Sequence, residues 1–204
     1  MSIGFRRMLV ATLLIVFCLP SNAASNQLVT IITNYGDITV QLFRDDAPMA
    51  VEHFTDLVSS GKYDGQRFYR VAAGKFIQGG IGYDNARKEP AVPRDRYTRH
   101  HNIPGAIGFA RENLKNPDSG TTEFYICVAA LPGLDKAGFE VFGRVIKGFG
   151  VLDTISNLPV RKKRLYWDGK RLNAKGSKYG LPVSWDEPYE PVIIESIRMG
   201  PDRL

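Results

Sequence analysis

Arg70, Phe76 and Gln78 stand within one short stretch, Arg67 to Gly80, that reads Arg-Phe-Tyr-Arg-Val-Ala-Ala-Gly-Lys-Phe-Ile-Gln-Gly-Gly. They are a cation, an aromatic ring and an amide at even spacing. Residues of one parity on an extended chain project to one side, which groups Phe68, Arg70, Ala72, Gly74, Phe76 and Gln78. Such a surface suits recognition of a polypeptide through hydrogen bonds and apolar contact. The closing Gly79-Gly80 pair allows another backbone to approach closely. The same pattern describes a half-buried hairpin with an exposed Arg, and the residue types alone leave both readings open.

Little else in the chain points to covalent, metal or nucleotide chemistry. Gly79-Gly80-Ile81-Gly82 lacks the strand, glycine spacing and helix of a dinucleotide site, and no P-loop occurs. The adjacent His100 and His101 point to opposite sides of an extended chain, which argues against a shared metal. His53 has no Cys, Asp or Glu at metal-site spacing and reads as a boundary residue. Cys127 lies in the apolar run Phe124-Tyr125-Ile126-Cys127-Val128 and reads as a small core residue. No metal or cofactor is expected.

The elements that must hold Arg70 are short. Leu28–Thr33 and Asp37–Phe43 are β-rich, with a turn at Asn34-Tyr35-Gly36 between them. Ala47-Pro48 opens a helix to about Ser60, with Val51, Phe54, Leu57 and Val58 as its apolar stripe. Gly105–Ala110, Thr122–Val128, Val141–Ile146 and Val192–Met199 read as core strands, and Lys147–Ser156 as a second helix. About eight short strands without βαβ alternation predict a mainly β domain, either a closed antiparallel barrel or a sandwich. Residues 157–191 are punctuated by Pro and Gly and predict a long loop.

Composition and targeting signals bound the setting. Arg6 and Arg7 precede an apolar run, Met8 to Leu19, and Ser21-Asn22-Ala23 supplies small residues before a cut after Ala23; residues 1–23 read as a secretory signal peptide. The run is too short for the roughly 20 residues that span a bilayer. Residues 24–204 then form one domain, in which the lone Cys127 has no disulfide partner. Cleavage removes two arginines and lowers the formal net charge from +6 to +4. Residues 161–178 carry eight Lys or Arg against Asp168 alone. That segment is either a solvated loop or a docking site for an anionic surface or partner. Nucleic acid is not the expected partner, and a monomer is expected.

A set of blocks then acquires meaning together. Phe68-Tyr69-Arg70, Gln78-Gly79-Gly80, Gly105-Ala106-Ile107-Gly108-Phe109-Ala110, Glu123-Phe124-Tyr125-Ile126-Cys127 and Val141-Phe142-Gly143-Arg144-Val145 occur in this order. Jointly they resemble the cyclophilin family of peptidyl-prolyl cis-trans isomerases, over about Leu28 to Met199. The short link from the first helix to the Arg70 strand is most similar to bacterial exported cyclophilins. The resemblance implies an eight-stranded antiparallel β-barrel with a helix capping each end, and a periplasmic location. It also implies acceleration of rotation about X-Pro bonds in proline-containing polypeptides, and a role in folding exported proteins.

Site roles follow from the same resemblance. Arg70 takes the catalytic position. Phe76, Tyr125 and Leu134 match the proline pocket, Phe139 falls at a pocket His, and Gln78, Glu123 and the Ala110-Arg111 backbone match substrate-orienting positions. Lys75 stands where a pocket Phe is usual, Glu123 where a Gln is usual, and Gly133 where a Trp linked to cyclosporin binding is usual. Weak cyclosporin affinity is therefore expected. An alternative from another class is a Pro-peptide-binding module with little turnover, docked through its basic loop.

Overall fold

The computed structural model describes residues 27–82, 90–92, 95, 99–111, 118–167, 172–173 and 181–200. β1 (Leu28–Thr33) and β2 (Gly36–Leu42) make the expected hairpin, and Ile38, Val40 and Leu42 alternate into the core with no exposure. α1 (Pro48–Ser59) starts with Pro in its first turn and buries Val51, Phe54, Leu57 and Val58 along one face.

β3 (Gln66–Ala72), β4 (Phe76–Gly80), β5 (Ala106–Arg111), β6 (Gly120–Cys127), β7 (Val141–Lys147) and β11 (Val192–Met199) complete the sheet. With β1 and β2 they close into an eight-stranded barrel, in the order β1-β11-β3-β4-β6-β5-β7-β2. All of these ladders are antiparallel. Closure leaves the barrel without a free edge. Its interior is aromatic: Phe54 of α1 lies 5.6 Å from Phe124 and 5.1 Å from Phe142, and Phe68 lies 5.6 Å from Phe124. Leu152 and Ile155 of α3 (Phe149–Ser156) join the same core.

Two expectations are corrected. Between β6 and β7 stands a further helix, α2 (Pro132–Lys136), so the described residues hold three helices rather than two. Residues 157–191 are not simply a loop. β8 (Val160–Trp167), β9 (Leu172–Asn173) and β10 (Leu181–Pro188) form a separate three-stranded sheet in the order β10-β8-β9. Pro182 and Pro188 lie in β10, an edge strand of that sheet, where a missing N–H is tolerated. Three basic residues of β8 find partners on β10: Lys162 meets Asp186 at 2.6 Å, and Arg161 and Lys163 meet Glu187 at 3.0 and 3.6 Å. The expected signal segment and Lys170, Arg171, Lys175 and Lys178 lie outside the described residues.

Candidate active site

A β-bulge aims the site. Arg67 pairs with Gly80 and Arg70 with Gln78, so β3 takes three steps where β4 takes two. The extra residue breaks the simple alternation. Phe68 and Val71 both enter the core, with 1% and 0% exposure, while Arg70 turns to the outer face. The even-parity expectation therefore holds for Arg70, Phe76 and Gln78 but not for Phe68.

On that outer face the Arg70 guanidinium stands 4.9 Å from the centroid of the Phe76 ring, and its Nη1 donates to Gln78 Oε1 at 2.9 Å. Gln78 Nε2 donates to the Tyr69 hydroxyl at 2.8 Å. Burial, and then the charge and hydrogen bonding of the Glu123 carboxylate, raise the Tyr69 hydroxyl well above its ordinary pKa. Burial pulls Arg70 down from its ordinary value, while Tyr69 and Asp186 oppose the shift. Arg70, Gln78, Tyr69 and Glu123 thus run in line from the surface to the interior.

Glu123 occupies the inner end of that line. It is 5% exposed, and it accepts the Gly82 N–H at 3.0 Å. Gly80 has φ +151°, and a Cβ there would collide with the Glu123 carboxylate, so this glycine is required. Glu123 therefore bears on Arg70 through Tyr69 and Gln78, from behind the outer surface.

The apolar members gather in a cluster distinct from the barrel interior. Ala106, Tyr125, Cys127 and Val141 are its buried centre, and Phe76, Ala110, Leu134 and Phe139 pack against it. Tyr125 meets Phe76 and Phe139, each at 6.0 Å in edge-on geometry. Arg111 lies 4.1 Å above the Phe139 ring, and its guanidinium donates to the carbonyls of Ala137 and Gly138. A Cβ on Gly108 would strike the Tyr125 hydroxyl at 2.5 Å, so Gly108 lets Tyr125 lie flat against β5. Lys75 sits exposed in the turn between β3 and β4, and a Cβ on Gly133 would meet open space. All nine residues anticipated from the sequence fall on or directly behind one face.

Two further neighbours complete the surroundings. Trp185 of β10 packs on Tyr69 at 5.7 Å, bringing the small sheet beside Arg70. Asn102, wholly buried, hydrogen-bonds Tyr125 at 2.6 Å. Trp185 is one of the aromatic residues in 157–191 whose type suits pinning that segment to the barrel, though its partner Tyr69 could not be read, whereas the turn-like His101-Asn102-Ile103-Pro104 context gave no signal for Asn102.

The arrangement offers a guanidinium anchored by Gln78 beside an apolar cluster. Cys127 is fully buried, and burial pushes its thiol up to about 12, so it supplies no thiolate nucleophile at neutral pH. Among the described residues no group of three or more His, Cys, Asp or Glu stands together as a metal site.

Residues 28–197 match the family model described as cyclophilin type peptidyl-prolyl cis-trans isomerase/CLD. The chain belongs to the cyclophilin family of peptidyl-prolyl cis-trans isomerases. A peptidyl-prolyl cis-trans isomerase of Acinetobacter baylyi is 35% identical over 187 residues, which span 88% of each chain. Peptidyl-prolyl cis-trans isomerase A of Dickeya dadantii is 37% identical over 144 residues, 67% of this chain and 74% of that one. A crystal structure of a Cryptosporidium parvum cyclophilin-type isomerase superposes with TM-score 0.66 at 27% identity, covering 86% of this chain and 98% of its own. A second structure of that protein, obtained in the presence of the dipeptide Ala-Pro, gives TM-score 0.65. This cyclophilin is accordingly an isomerase, mainly β, built on a closed barrel.

Proposed function

We propose that this cyclophilin accelerates rotation about X-Pro bonds at the face carrying Arg70, and does so on proline-containing segments of exported polypeptides. Uncatalysed rotation faces about 18–20 kcal/mol of amide resonance and takes tens to hundreds of seconds. Lowering that barrier needs no covalent intermediate. A guanidinium donating toward the prolyl nitrogen favours its pyramidal, non-conjugated form, an interaction stronger in the transition state than in the ground state. Phe76, Tyr125, Leu134 and Phe139 grip the ring, and Gln78 with the Ala110-Arg111 backbone orients the flanking peptide.

The observation that carries this reading is Arg70 anchored by Gln78 at 2.9 Å while standing over Phe76, at the rim of the apolar cluster. Export rests on the Arg6-Arg7 pair, the apolar run and Ser21-Asn22-Ala23. With the resemblance to bacterial exported members, it favours the periplasm. The test is a protease-coupled assay on an Ala-Pro tetrapeptide with the mature protein and Arg70→Ala. The wild type should accelerate isomerisation, and the variant should lose roughly 100-fold in kcat/KM with its circular dichroism unchanged. No acceleration by well-folded wild type across several peptides would leave a Pro-peptide-binding module in place of the enzyme.

Docking of the basic segment on an anionic partner is the second reading. Arg164, exposed and opposite Ser184, favours it, whereas Arg161, Lys162 and Lys163 face acids of β10. Binding to anionic vesicles that disappears with salt and with loss of residues 161–178 is its required signature.

A further inference from the structure

Asn102 precedes β5 and has no solvent exposure. A buried amide with no partners is costly, and this one has a partner for each polar group. Oδ1 accepts the Tyr125 hydroxyl at 2.6 Å. Nδ2 donates to Asp135 Oδ1 at 2.7 Å and to the Phe139 carbonyl at 3.2 Å. The backbone N–H donates to the same Asp135 oxygen at 2.8 Å, and the backbone carbonyl accepts the Leu131 N–H at 2.7 Å.

Those partners support the apolar cluster that the function proposed above makes the proline-gripping surface. Tyr125 is its floor. Asp135 and Leu131 fix α2, which carries Leu134, and the Phe139 carbonyl fixes the segment that presents the Phe139 ring. α2 is only five residues long, and it has no side-chain cap hydrogen bond at its start. A helix of that length does not hold its own position. At its start it is tied to Asn102 by Asp135 and by the Leu131 N–H, and at its end Arg111 holds the Ala137 carbonyl.

We infer that Asn102 is a positioning residue for proline recognition: one buried amide fastens the floor, the helix and the far wall of the hollow to one another. It touches no substrate and acts through Tyr125, Leu134 and Phe139. This rests on the function proposed above, and it adds the element that sets how tightly the hollow closes on the ring.

Asn102→Asp and Asp135→Asn, singly and together, test it. The single Asn102→Asp variant sets two carboxylates against each other. The double variant exchanges acid and amide, so a donor again lies between positions 102 and 135 while Tyr125 keeps its acceptor. The probe is the Ala-Pro tetrapeptide: its dissociation constant by NMR titration, and its exchange rate at saturation on the enzyme. Asn102→Asp should weaken binding about tenfold or more, consistent with loss of a part-buried charge-assisted bond. Exchange at saturation should change less than about threefold, because Arg70 is untouched.

The exchanged pair rebuilds the bridge between positions 102 and 135 but leaves the Phe139 carbonyl without its amide donor, so it should recover most of the lost affinity and bind within about fivefold of wild type. A merely structural role predicts a different outcome, in which melting temperature falls and affinity of the folded protein does not. Asn102→Asp binding peptide as wild type does, or a folded double variant binding about tenfold or more weaker than wild type, overturns the inference. If Asn102→Asp does not fold, the double variant alone decides by the same affinity criterion. Failure of the functional reading itself looks different, because the wild type would then neither bind nor isomerise the peptide.

Discussion

Arg70 stands between two walls held by different forces. The Phe76-Tyr125-Leu134-Phe139 side is backed by Asn102, buried among partners that include the Asp135 carboxylate. The β8-β10 side is joined by ion pairs whose cations, Arg161, Lys162 and Lys163, are 51%, 79% and 41% exposed. Exposed pairs contribute about 0–1 kcal/mol each and weaken with salt, whereas a buried group left without its partner costs about 1–3 kcal/mol. The lesson is one of tolerance: the pocket wall resists change, and the small sheet adjusts to its surroundings.

The sharpest way to probe the centre of this comparison is Arg70→Lys. It keeps the charge and discards the planar fork, so kcat/KM on the Ala-Pro tetrapeptide should fall at least about 30-fold at any salt concentration. A loss under threefold would mean that charge alone suffices and that neither wall needs to aim a fork. Next in size is Tyr125→Phe, which leaves Asn102 Oδ1 without its hydroxyl donor. Thermal unfolding should shift down by several degrees, matching about 1–2 kcal/mol. Peptide affinity should drop as well, by the same factor in 0.1 and 1 M NaCl.

Asp186→Asn addresses the other wall. Asp186 supports the Arg70 charge and pairs with Lys162 at 2.6 Å. Steady-state kinetics should change by about two- to threefold, a difference that shrinks in 1 M NaCl as screening takes over. A salt-insensitive loss of tenfold would show the small sheet to be as firmly coupled as the pocket.

The smallest effect concerns pH. Burial raises the Cys127 thiol from 9.0 to about 12, and it raises the Tyr125 hydroxyl as well. The unfolded thiol releases its proton near pH 9 and the folded one near 12, so the folded state holds more protons in that window. Its stabilisation is complete below pH 9 and is lost as pH climbs toward 12. Cys127→Ala should therefore flatten the decline of melting temperature between pH 8 and 10. Parallel curves for the two proteins would dismiss this part of the buried wall as a source of pH sensitivity.

Legibility in the sequence followed the same division. β2 could be read from Ile38, Val40 and Leu42 because a strand with one buried face must alternate. The position of Arg70 near Phe76 and Gln78 was equally readable, although the bulge that separates Phe68 from it was not. Periodicity carries no mark of a one-residue insertion. β8 and β10 escaped because Arg161-Lys162-Lys163-Arg164 has poor strand propensity and Pro182 reads as a breaker; their pairing comes from cross-strand charges that local patterns do not contain. α2 escaped because five residues cannot display a helical period. Asn102 was hidden for a different reason, since a turn Asn and a buried bridging Asn are the same letter.

The seam of the barrel sets the timing of its assembly. β11 pairs with β1 on one side and β3 on the other, joining Val29 to Met199 across nearly the whole chain. A polypeptide made amino end first therefore keeps two unsatisfied strand edges until its last strand exists. The fold cannot lock early. Were the chain exported as proposed, that delay would leave it slack enough to be threaded through a narrow channel, with the lock to engage only at the far end.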